Sequence, residues 1–552
     1  MNGSTSMLYA KDLTNLISGD VSVAEGEREK VARDTSLFYV KPEIVIFPKN
    51  RDDISHVLSY VHAIKAKGGN LSVTMRAAGT CMTGGPLSSS IVIDTTRYMN
   101  HIGEVTKESA IAESGVYYRD FEKETLKKGW LMPSYPASRE LAAIGGIVSN
   151  NSGGEKTLVY GKTEKYIKAL DVVFADGSSD TLCPLTRQNL EVKMKEQSES
   201  GRIHRELFAL IDNNYEIIKQ AKPSVSKNSS GYYLWNVYDK EKDIFDITKV
   251  VVGSQGTLTC ISSATVTGVQ VKEHSRMLVM FLPTTSHLGE IIPQILKHKP
   301  ETLESYDDHT FKIAVRFFKD IALRMGGDMF TLGFQFLPEF WMVVTGGVPK
   351  IILMAEFTGE SEEEVEQQVQ TAYDDMKQFD LPIKRTKNAL ESKKYWTFRR
   401  ESFNLLRTRL QGYRTAPTID DIIVHPKDLP EFLPQLETIF SKYDLIYTIA
   451  GHMGDANFHV IPLVNLHKEG IVDQLHKLMD EVYDLVLSYN GSISAEHNDG
   501  LLRTSYLSKM FTPEVISLFE KTKDIFDPLH ILNPMKKVYP DKEFAWSHID
   551  TK

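Results

Sequence analysis

Two histidines stand close together around a short glycine-containing turn at residues 451–459. His452 and His459 flank the sequence Met-Gly-Asp-Ala-Asn-Phe, and Glu496 with His497 follows downstream. Two imidazoles and one carboxylate can form a metal site with one position left open, which is typical of catalytic rather than structural sites. His497, beside the third candidate ligand, is then placed to move a proton. The alternative interpretation is that these histidines are unrelated loop residues held by hydrogen bonds.

The spacing of the two histidines supports a metal site only if the chain bends between them. Residues seven apart on a straight strand point to opposite faces. The turn at residues 454–457 supplies the bend, and Asp455 and Asn457 could support the ligands from behind. Adjacent residues at a strand end also point to opposite sides, so Glu496 can face a metal while His497 faces a substrate.

Length and composition describe an ordinary soluble chain of more than one domain. Its 552 residues exceed what one hydrophobic core holds. The formal net charge of −9 argues against general nucleic-acid binding, because phosphate contacts need clustered Lys and Arg. Cys81, Cys183 and Cys260 are widely spaced, which argues against a disulfide framework, a zinc ribbon or an iron–sulfur module. No basic region precedes an apolar stretch at the first residues, so we expect a cytoplasmic protein without a signal peptide.

The most apolar region covers residues 329–357. Glycines and prolines interrupt it, so it is not a membrane-spanning helix. Two interpretations stay open: buried core with an active-site loop, or a loop that rests on a membrane surface as a peripheral contact.

Short β-rich runs alternate with helical stretches along the chain. Residues 53–67 carry apolar side chains at helical spacing after an acidic start, and the pattern restarts after about residue 275. The alternation indicates α/β or mixed α+β structure. The predicted strands are residues 44–47, 71–75, 91–94, 169–174, 249–252, 277–282, 351–357, 445–450 and 458–464, and the predicted helices are residues 53–67, 361–379, 471–489 and 513–526.

Three glycine-rich loop systems occur in the first half. Residues 76–86 lie between two predicted strands, where small residues let backbone N–H groups approach a pyrophosphate. This loop does not open a helix with G-x-G-x-x-G, so a Rossmann site is not indicated. A second system includes residues 136–138, 144–146, 150–154 and 160–162, and a third covers residues 252–258. Each loop alone is an ordinary tight turn.

In this order, the loops resemble the FAD-binding domain of the vanillyl-alcohol-oxidase (PCMH) type. Residues 76–85 are similar to its pyrophosphate loop, and residues 253–258 to its GSEGTL segment, with Gln255 in place of Glu. The first loop contains no His, and Cys81 is interpreted as a small loop residue, so we expect noncovalent FAD. The resemblance implies as cofactor-binding residues Arg76, Ala78, Gly79, Thr80, Thr83, Gly84, Gly85, Pro136, Ser138, Gly145, Gly146, Asn150, Ser152, Gly153, Gly154, Gly161, Gly253, Gly256, Thr257 and Asn533.

The second half resembles the C-terminal domain of FAD-linked 2-hydroxy acid dehydrogenases, which include D-lactate, glycolate and D-2-hydroxyglutarate dehydrogenases. Its most specific elements are residues 452–459, Glu496 with His497, and residues 531–536, which resemble an NPGK tail. The chain departs from the pattern at Ala456, Asn498 and Met535, where glycine is usual. The resemblance implies His452, His459 and Glu496 as ligands of a divalent metal, commonly zinc.

A predicted helix carries arginines among apolar residues. Trp396, Arg399, Arg400, Phe403, Arg407 and Leu410 fall on one side of it. Arginines in such a stripe either have a specific partner, because burial without one is costly, or extend to water along their stems. The resemblance matches Arg399 to the position that binds the substrate carboxylate, and a guanidinium fork suits that geometry.

The resemblance implies an α+β architecture in four parts: an N-terminal arm (1–42), an FAD-binding domain (43–270), a second α+β substrate or cap domain with the metal site (271–515), and a C-terminal segment that returns to the FAD domain (516–552). The expected reaction is oxidation of a small D-2-hydroxy acid, D-lactate before glycolate or D-2-hydroxyglutarate, with hydride passing to flavin N5 and His497 as base. The expected electron acceptor is a quinone, an electron-transfer flavoprotein or a cytochrome, and the protein is expected to be a monomer or homo-oligomer. Two alternatives are an ether-lipid-forming flavoenzyme and an inactive flavoprotein subunit.

Overall fold

The computed structural model of the chain describes residues 3–308, 348–389, 391–397, 399–400, 413–443 and 445–551. Helices and three main sheets are mixed along these ranges. This confirms the predicted α+β class.

A small sheet opens the N-terminal half of the chain. Ile44–Phe47 is buried at all four residues, as expected for β-branched and aromatic side chains in a strand covered on both faces. Helix Arg51–Ala66 follows, and the Asn50 side chain caps it by accepting from the Asp53 N–H. The strands in spatial order are Asp20–Ser22, Ile44–Phe47, Ile91–Asp94 and Val73–Arg76, with the last three parallel.

A second, antiparallel sheet completes the framework of the N-terminal half. Its central strand, Cys260–Thr267, alternates buried and partly exposed residues from Ser263 onward, which is typical of a strand with one face on the core. Its strands in spatial order are Ile102–Val105, Ser109–Glu113, Cys260–Thr267, Ile167–Val173 and Ser179–Leu182. Smaller pairings join Leu185–Thr186, Ile244–Phe245 and Tyr238–Asp239, and Trp130–Leu131 with Val269–Gln270.

The described part of the C-terminal half contains an eight-stranded sheet, antiparallel in its pairings. Its strands in spatial order are Ile383–Arg385, His274–Leu282, Ile351–Gly359, Thr302–Asp307, Ile446–His452, Asn457–Val464 and Arg414–Thr415, and Ile422–Ile423 also pairs with Asn457–Val464. The hairpin of Ile446–His452 and Asn457–Val464 carries both histidines of the proposed metal site near its turn.

The α-helices of the described residues cover both halves. They are Gly3–Leu16, Glu25–Lys30, Arg51–Ala66, Tyr118–Leu126, Ile144–Asn150, Thr157–Tyr160, Arg187–Met194, Glu199–Asn213, Tyr215–Gln220, Thr248–Val251, Leu288–Leu296, Glu362–Met376, Leu429–Ser441, Ile471–Ser488, Gly500–Arg503, Leu507–Met510, Pro513–Phe526 and Lys542–Ser547.

Most predicted elements are confirmed, with ends shifted by a few residues. The strands at residues 44–47 and 91–94 are found with the predicted bounds. The strand predicted at residues 249–252 is wrong, because Thr248–Val251 is a helical turn. Val250 and Val251 are buried there, and a short apolar run gives the same signal in a buried helical turn as in a buried strand.

The C-terminal residues pack on the N-terminal half. Helix Pro513–Phe526 contributes Phe519 to a core shared with Tyr232, and these two rings meet edge to face at 5.9 Å. Further on, Leu532 forms a parallel bridge with Val73 at the edge of the first sheet. The last part of the described chain therefore contacts the sheets that carry the glycine-rich loops.

No helix within the described ranges has the length and apolar character needed to cross a membrane. Of the apolar region at residues 329–357, the part up to residue 347 lies outside the described residues, and its membrane contact stays a prediction. Residues 351–357 of this region belong to the largely buried strand Ile351–Gly359.

Candidate active site

A cavity of about 660 Å³ is lined by residues from both halves of the chain. Its volume falls within the range of about 300–1,000 Å³ that is typical of ligand sites. His452, His459, Glu496, His497 and Arg399 all line it. Among the predicted cofactor-binding residues, those on its wall are Arg76, Ala78, Gly79, Thr80, Gly85, Pro136, Ser138, Gly145, Gly146, Asn150, Ser152, Gly153 and Gly256.

The first glycine-rich loop is held in place by a buried arginine. Arg76 ends the strand Val73–Arg76, and its Nη2 donates to the Arg33 carbonyl oxygen at 2.8 Å. Gly79 has a φ of +67°, and a Cβ there would lie 2.1 Å from Arg76 Nη2. The left-handed backbone favours glycine at this position, and a side chain there would also force the Arg76 guanidinium to move.

The other predicted cofactor residues do not line this cavity: Thr83, Gly84, Gly154, Gly161, Gly253, Thr257 and Asn533. Asn533 joins two of the glycine-rich loops. Its Nδ2 donates to the Gly85 carbonyl at 3.0 Å and to the Gln255 carbonyl at 2.6 Å, while its Oδ1 accepts from Thr74 Oγ1 at 3.0 Å. It therefore shapes the cavity by fixing the backbone of its wall.

The loop predicted at residues 144–146 is wrong, because Ile144–Asn150 is a helix. Gly145 lies against Ser114, whose Cβ would be 2.5 Å from a Cβ at residue 145. Two adjacent glycines normally weaken a helix, but here close packing on the second sheet requires one of them.

Two hydroxyl groups on the cavity wall are buried without a hydrogen-bond partner among the described residues. They are Ser114 Oγ and Thr259 Oγ1. Buried polar groups nearly always have a partner, so a polar ligand in this cavity would satisfy them. The glycine-lined wall and these hydroxyls fit a cofactor that is long and polar, such as FAD.

The proposed metal ligands lie close together on the wall of the same cavity. His452 ends the strand Ile446–His452, and His459 lies three residues into Asn457–Val464. Nitrogen and oxygen atoms of His452, His459 and Glu496 lie within 4.8 Å of one another. The turn between the strands brings the histidines to one place, with ring centroids 5.1 Å apart. These donors fit a divalent cation with a position left open.

Each histidine of the cluster is oriented through its Nδ1 atom. His452 Nδ1 donates to Glu304 Oε1 at 2.6 Å, and His459 Nδ1 donates to the Asp420 carbonyl oxygen at 2.7 Å. These bonds leave Nε2 of each ring without its proton in the neutral form, which is the form that binds a metal. Histidine ligands in metal sites are generally fixed in this way.

His497 is held beside the cluster and is parallel to one of its rings. Its Nδ1 donates to Asp420 Oδ2 at 2.8 Å, and its ring centroid lies 5.0 Å from that of His459. The predicted strand end is wrong, because residues 495–497 form bends. Asp421 Oδ2 accepts from the backbone N–H groups of Glu496, at 2.8 Å, and His497, at 2.7 Å. This double contact turns both residues toward the cavity.

The charges of the cluster are strongly coupled. Burial lowers the pKa of His452, but Glu304 and Glu496 raise the pKa to about 9. Burial and the neighbouring rings of His497 and His452 lower the pKa of His459 to about 4. Burial raises the pKa of Glu496, but His452 holds that pKa well below its ordinary range.

Arg399 contacts the same buried carboxylate as His452. Its Nε and Nη2 lie 3.1 and 3.0 Å from Glu304 Oε2. Arg400 instead pairs with Glu155 at 2.5 Å. Of the predicted arginine stripe, residues 403, 407 and 410 lie outside the described residues. The arginine pair therefore has separate partners, and only Arg399 is joined to the histidine cluster through a shared carboxylate.

Sequence reasoning missed the residues that orient the site: Glu304, Asp420, Asp421 and Lys227. The acidic pair Asp420 and Asp421 lies inside a run of isoleucines, and both carboxylates are fully buried. Buried acids need partners, so this pair carried a usable signal. Glu304 lies on Thr302–Asp307 among mostly polar residues, and nothing local distinguishes it from a surface acid.

Comparison with known proteins places this geometry in a family. The model "FAD linked oxidases, C-terminal domain" matches residues 271–537, and "FAD binding domain" matches residues 42–181. The chain is 24% identical to D-2-hydroxyglutarate dehydrogenase of Haemophilus influenzae and 26% identical to D-lactate dehydrogenase of Anaerostipes hadrus. The two models together match most of the chain, which therefore belongs to the family of FAD-linked oxidases.

The relatives of the chain differ in length. The alignment covers 95% of the chain but 50% of the Haemophilus protein, so the chain spans about half the length of that relative. It covers 94% of the chain and 94% of the Anaerostipes protein. A glycolate oxidase subunit, GlcD, of Bacillus subtilis is 24% identical, with 92% of the chain and 91% of that protein covered.

Solved structures confirm the vanillyl-alcohol-oxidase type of fold for this family member. The 4-ethylphenol oxidase from Gulosibacter chungangensis matches with a TM-score of 0.67 and 12% identity, over 98% of each chain. An alkyldihydroxyacetonephosphate synthase matches with a TM-score of 0.65 and 14% identity, over 96% of this chain and 85% of that one. At these identities the likeness is one of fold alone.

Proposed function

We propose that the chain is an FAD-dependent dehydrogenase of a small D-2-hydroxy acid. D-lactate is the first candidate substrate, and glycolate and D-2-hydroxyglutarate are the alternatives. One observation carries the proposal: the glycine-rich loops, the cluster of His452, His459 and Glu496, and the side chains of His497 and Arg399 line a single cavity. The names of the relatives support the same substrate class.

Two bound groups complete the chemistry in this proposal. FAD, held noncovalently by the glycine-rich loops, supplies a two-electron acceptor for the hydride on C2 of the substrate. A divalent metal, zinc in the proposal, supplies Lewis acidity at the 2-hydroxyl and would be held by His452, His459 and Glu496. The remaining tasks fall to side chains: the carboxylate must be bound and the hydroxyl proton removed.

Arg399 binds the substrate carboxylate in this mechanism. Its Nε and Nη2 are engaged by Glu304. Among the described residues no contact takes Nη1, and we assign this group to the ligand. A guanidinium fixed on one side by a buried carboxylate presents its remaining N–H groups in a set direction. Because Glu304 also fixes His452, the carboxylate-binding and metal-binding groups keep a constant separation.

His497 accepts the proton of the 2-hydroxyl. Its Nδ1 is committed to Asp420, so Nε2 is the atom that takes the proton. Burial lowers the pKa of His497, but Asp421 and Asp420 outweigh burial and raise it to about 9, so without a bound cation the neutral ring that accepts a proton becomes the main form only above that pH. A cation at the adjacent His459 acts in the opposite direction, because like charges disfavour the protonated imidazole. Asp420, itself bound by Arg503 at 2.5 Å, stabilises the imidazolium after the transfer.

Anaerobic stopped-flow mixing of the FAD-loaded protein with D-lactate, L-lactate, glycolate and D-2-hydroxyglutarate tests the proposal. We expect rapid bleaching of the flavin with at least one of the D-acids or glycolate, and formation of the matching 2-oxo acid. L-lactate should react far more slowly, because Arg399 binds the carboxylate and His497 the hydroxyl group, so that only one enantiomer directs its C2 hydrogen toward the flavin. A flavin that dithionite reduces but no 2-hydroxy acid bleaches would overturn the assignment.

A further inference from the structure

The carboxylate and the carbonyl group of Glu496 contact residues of the N-terminal half, whereas Asp421 of the C-terminal half holds only its N–H. Lys227 Nζ donates to Glu496 Oε1 at 2.6 Å. Asn150 Nδ2 donates to the Glu496 carbonyl oxygen at 3.1 Å. Gly153 approaches so closely that a Cβ there would lie 2.9 Å from Glu496 Oε1. His452 and His459 lie on the C-terminal sheet and are oriented by Glu304 and the Asp420 carbonyl. The groups that orient the three ligands therefore come from both halves of the chain.

Lys227 contacts one oxygen of the Glu496 carboxylate and leaves the other oxygen facing the histidines. It occupies Oε1, whereas Oε2 lies 3.3 Å from His452 Nε2 on the side where the cluster converges. The lysine side chain is 1% exposed, and its other partner is Asp455 Oδ2 at 3.0 Å. Asp455 is fixed in turn by Ser226, whose Oγ donates to Oδ1 at 2.6 Å. The ammonium group therefore lies in a set position between two buried carboxylates.

Such an arrangement limits how the carboxylate can bind a cation. A carboxylate can bind through one oxygen or both. With Oε1 engaged by an ammonium group at 2.6 Å, Oε2 remains as the atom that points to His452. Without Lys227, Oε1 of Glu496 would lose its ammonium donor, and the repulsion between Glu496 and Asp455 would no longer be offset by the charge between them.

We propose that Lys227 is a positioning residue for the metal, which directs Glu496 to bind through Oε2 and makes metal binding depend on contact between the N-terminal half and the C-terminal sheet. Lys227 touches neither the substrate nor the cation. The inference rests on the metal assignment in the proposed function and goes beyond it, because it gives a residue of the FAD-binding half a role in metal affinity.

The matched control is a second buried lysine that has no contact with the residues of the metal cluster. Lys523 is 3% exposed, pairs with Asp527 at 2.5 Å, and donates to the Thr257 and Leu532 carbonyls at 2.7 Å each. Replacing either lysine with Met removes a buried charge of the same kind. Only Lys227 contacts a proposed metal ligand.

The experiment measures zinc affinity by chelator competition on FAD-loaded wild type, Lys227→Met, Lys227→Arg and Lys523→Met. We expect Lys227→Met to keep FAD and lose about 10- to 100-fold in zinc affinity, the usual effect of removing a group that orients a ligand. Lys227→Arg keeps the charge and the donors, so most of the affinity should return. Lys523→Met should lower the melting temperature and leave zinc affinity unchanged.

Unchanged zinc affinity in Lys227→Met, or an equal loss in Lys523→Met, would overturn the inference and leave Lys227 as a structural ion pair. If Lys227→Met does not fold, Lys227→Gln, which keeps an N–H donor without the charge, gives the same comparison. A wild-type protein that oxidises a hydroxy acid yet binds no zinc would overturn the metal assignment itself. That result differs from one in which the wild type binds zinc and Lys227→Met binds it equally well, which overturns only the role of Lys227.

Discussion

Glu304 provides the sharpest test of how the site is built, because one buried carboxylate serves two neighbours. Its side chain is 1% exposed. Oε1 accepts from His452 Nδ1 at 2.6 Å, and Oε2 accepts from Arg399 Nε at 3.1 Å. Both neighbours are donors, so the position needs two acceptors. Glu304→Gln keeps the shape but replaces one acceptor with an N–H₂ group that can only donate.

The magnitude of the effect follows from this mismatch. One of the two contacts must place two donors against each other, and losing a hydrogen bond to a charged group costs about 1.5–3 kcal/mol. If His452 loses its partner, zinc affinity falls by about 10- to 100-fold. If Arg399 loses its partner, apparent substrate affinity falls while zinc stays bound. In either case the catalytic efficiency with the best substrate should fall by at least tenfold, because 1.4 kcal/mol corresponds to a factor of ten.

The assay combines zinc affinity, from chelator competition, with the substrate dependence of flavin bleaching. Glu356→Gln is the matched control. Glu356 lies on the neighbouring strand Ile351–Gly359, and burial raises its pKa to about 7. Its Oε1 accepts from Trp396 Nε1 at 3.2 Å, a bond that an amide oxygen can keep. We expect the control to resemble wild type. A Glu304→Gln protein with wild-type zinc affinity and wild-type kinetics would refute the shared-carboxylate reasoning.

Four further outcomes are expected. His497→Asn should slow flavin reduction by about 10²- to 10⁴-fold, as removal of a general base does, with FAD and zinc still bound. Arg399→Lys should raise the apparent KM because the planar fork is lost, and Arg400→Lys should do so much less. Gly153→Ala should weaken zinc binding, because its Cβ would lie 2.9 Å from Glu496 Oε1. Acid precipitation should release the yellow colour into solution, as noncovalent FAD requires.

Each of these outcomes has a result that contradicts it. Zinc loss in His497→Asn would make His497 a ligand, and a larger KM effect from Arg400→Lys would exchange the two arginines. Gly146→Ala is the control for Gly153→Ala, since a Cβ there would meet Ala77 Cβ at an ordinary 3.5 Å. Equal zinc loss in both glycine variants would refute the crowding argument. Colour that stays with the precipitated chain would show a covalent flavin.

The sequence predicted the parts of the site that have unusual residue types in a short stretch. Two histidines around a glycine turn are visible without a structure, and the turn between Ile446–His452 and Asn457–Val464 brings them together. The strand and helix predictions held where periodicity continued over many residues, as in Ile471–Ser488. They failed at Thr248–Val251, because a single buried turn is too short to express a period.

The groups that orient the ligands could not be predicted in the same way. Glu304 is separated from His452 by 148 residues, and Lys227 from Glu496 by 269. Their importance comes from which elements the fold brings together, and an isolated Glu or Lys has no local pattern. The ion pairs they form depend on burial, which a single acidic or basic residue does not reveal.

The contacts of Asn533 also bear on when the flavin site can form in the cell. Gly85 and Gln255 are synthesised long before the asparagine that joins them, which follows Gln255 by 278 residues. At about 5–20 residues per second, the ribosome needs roughly 15 to 55 s to cover that distance. Until then the loops lack the side chain that holds their carbonyl groups together. We therefore expect the growing chain to bind FAD weakly, and cofactor uptake to be one of the last events in the maturation of the protein.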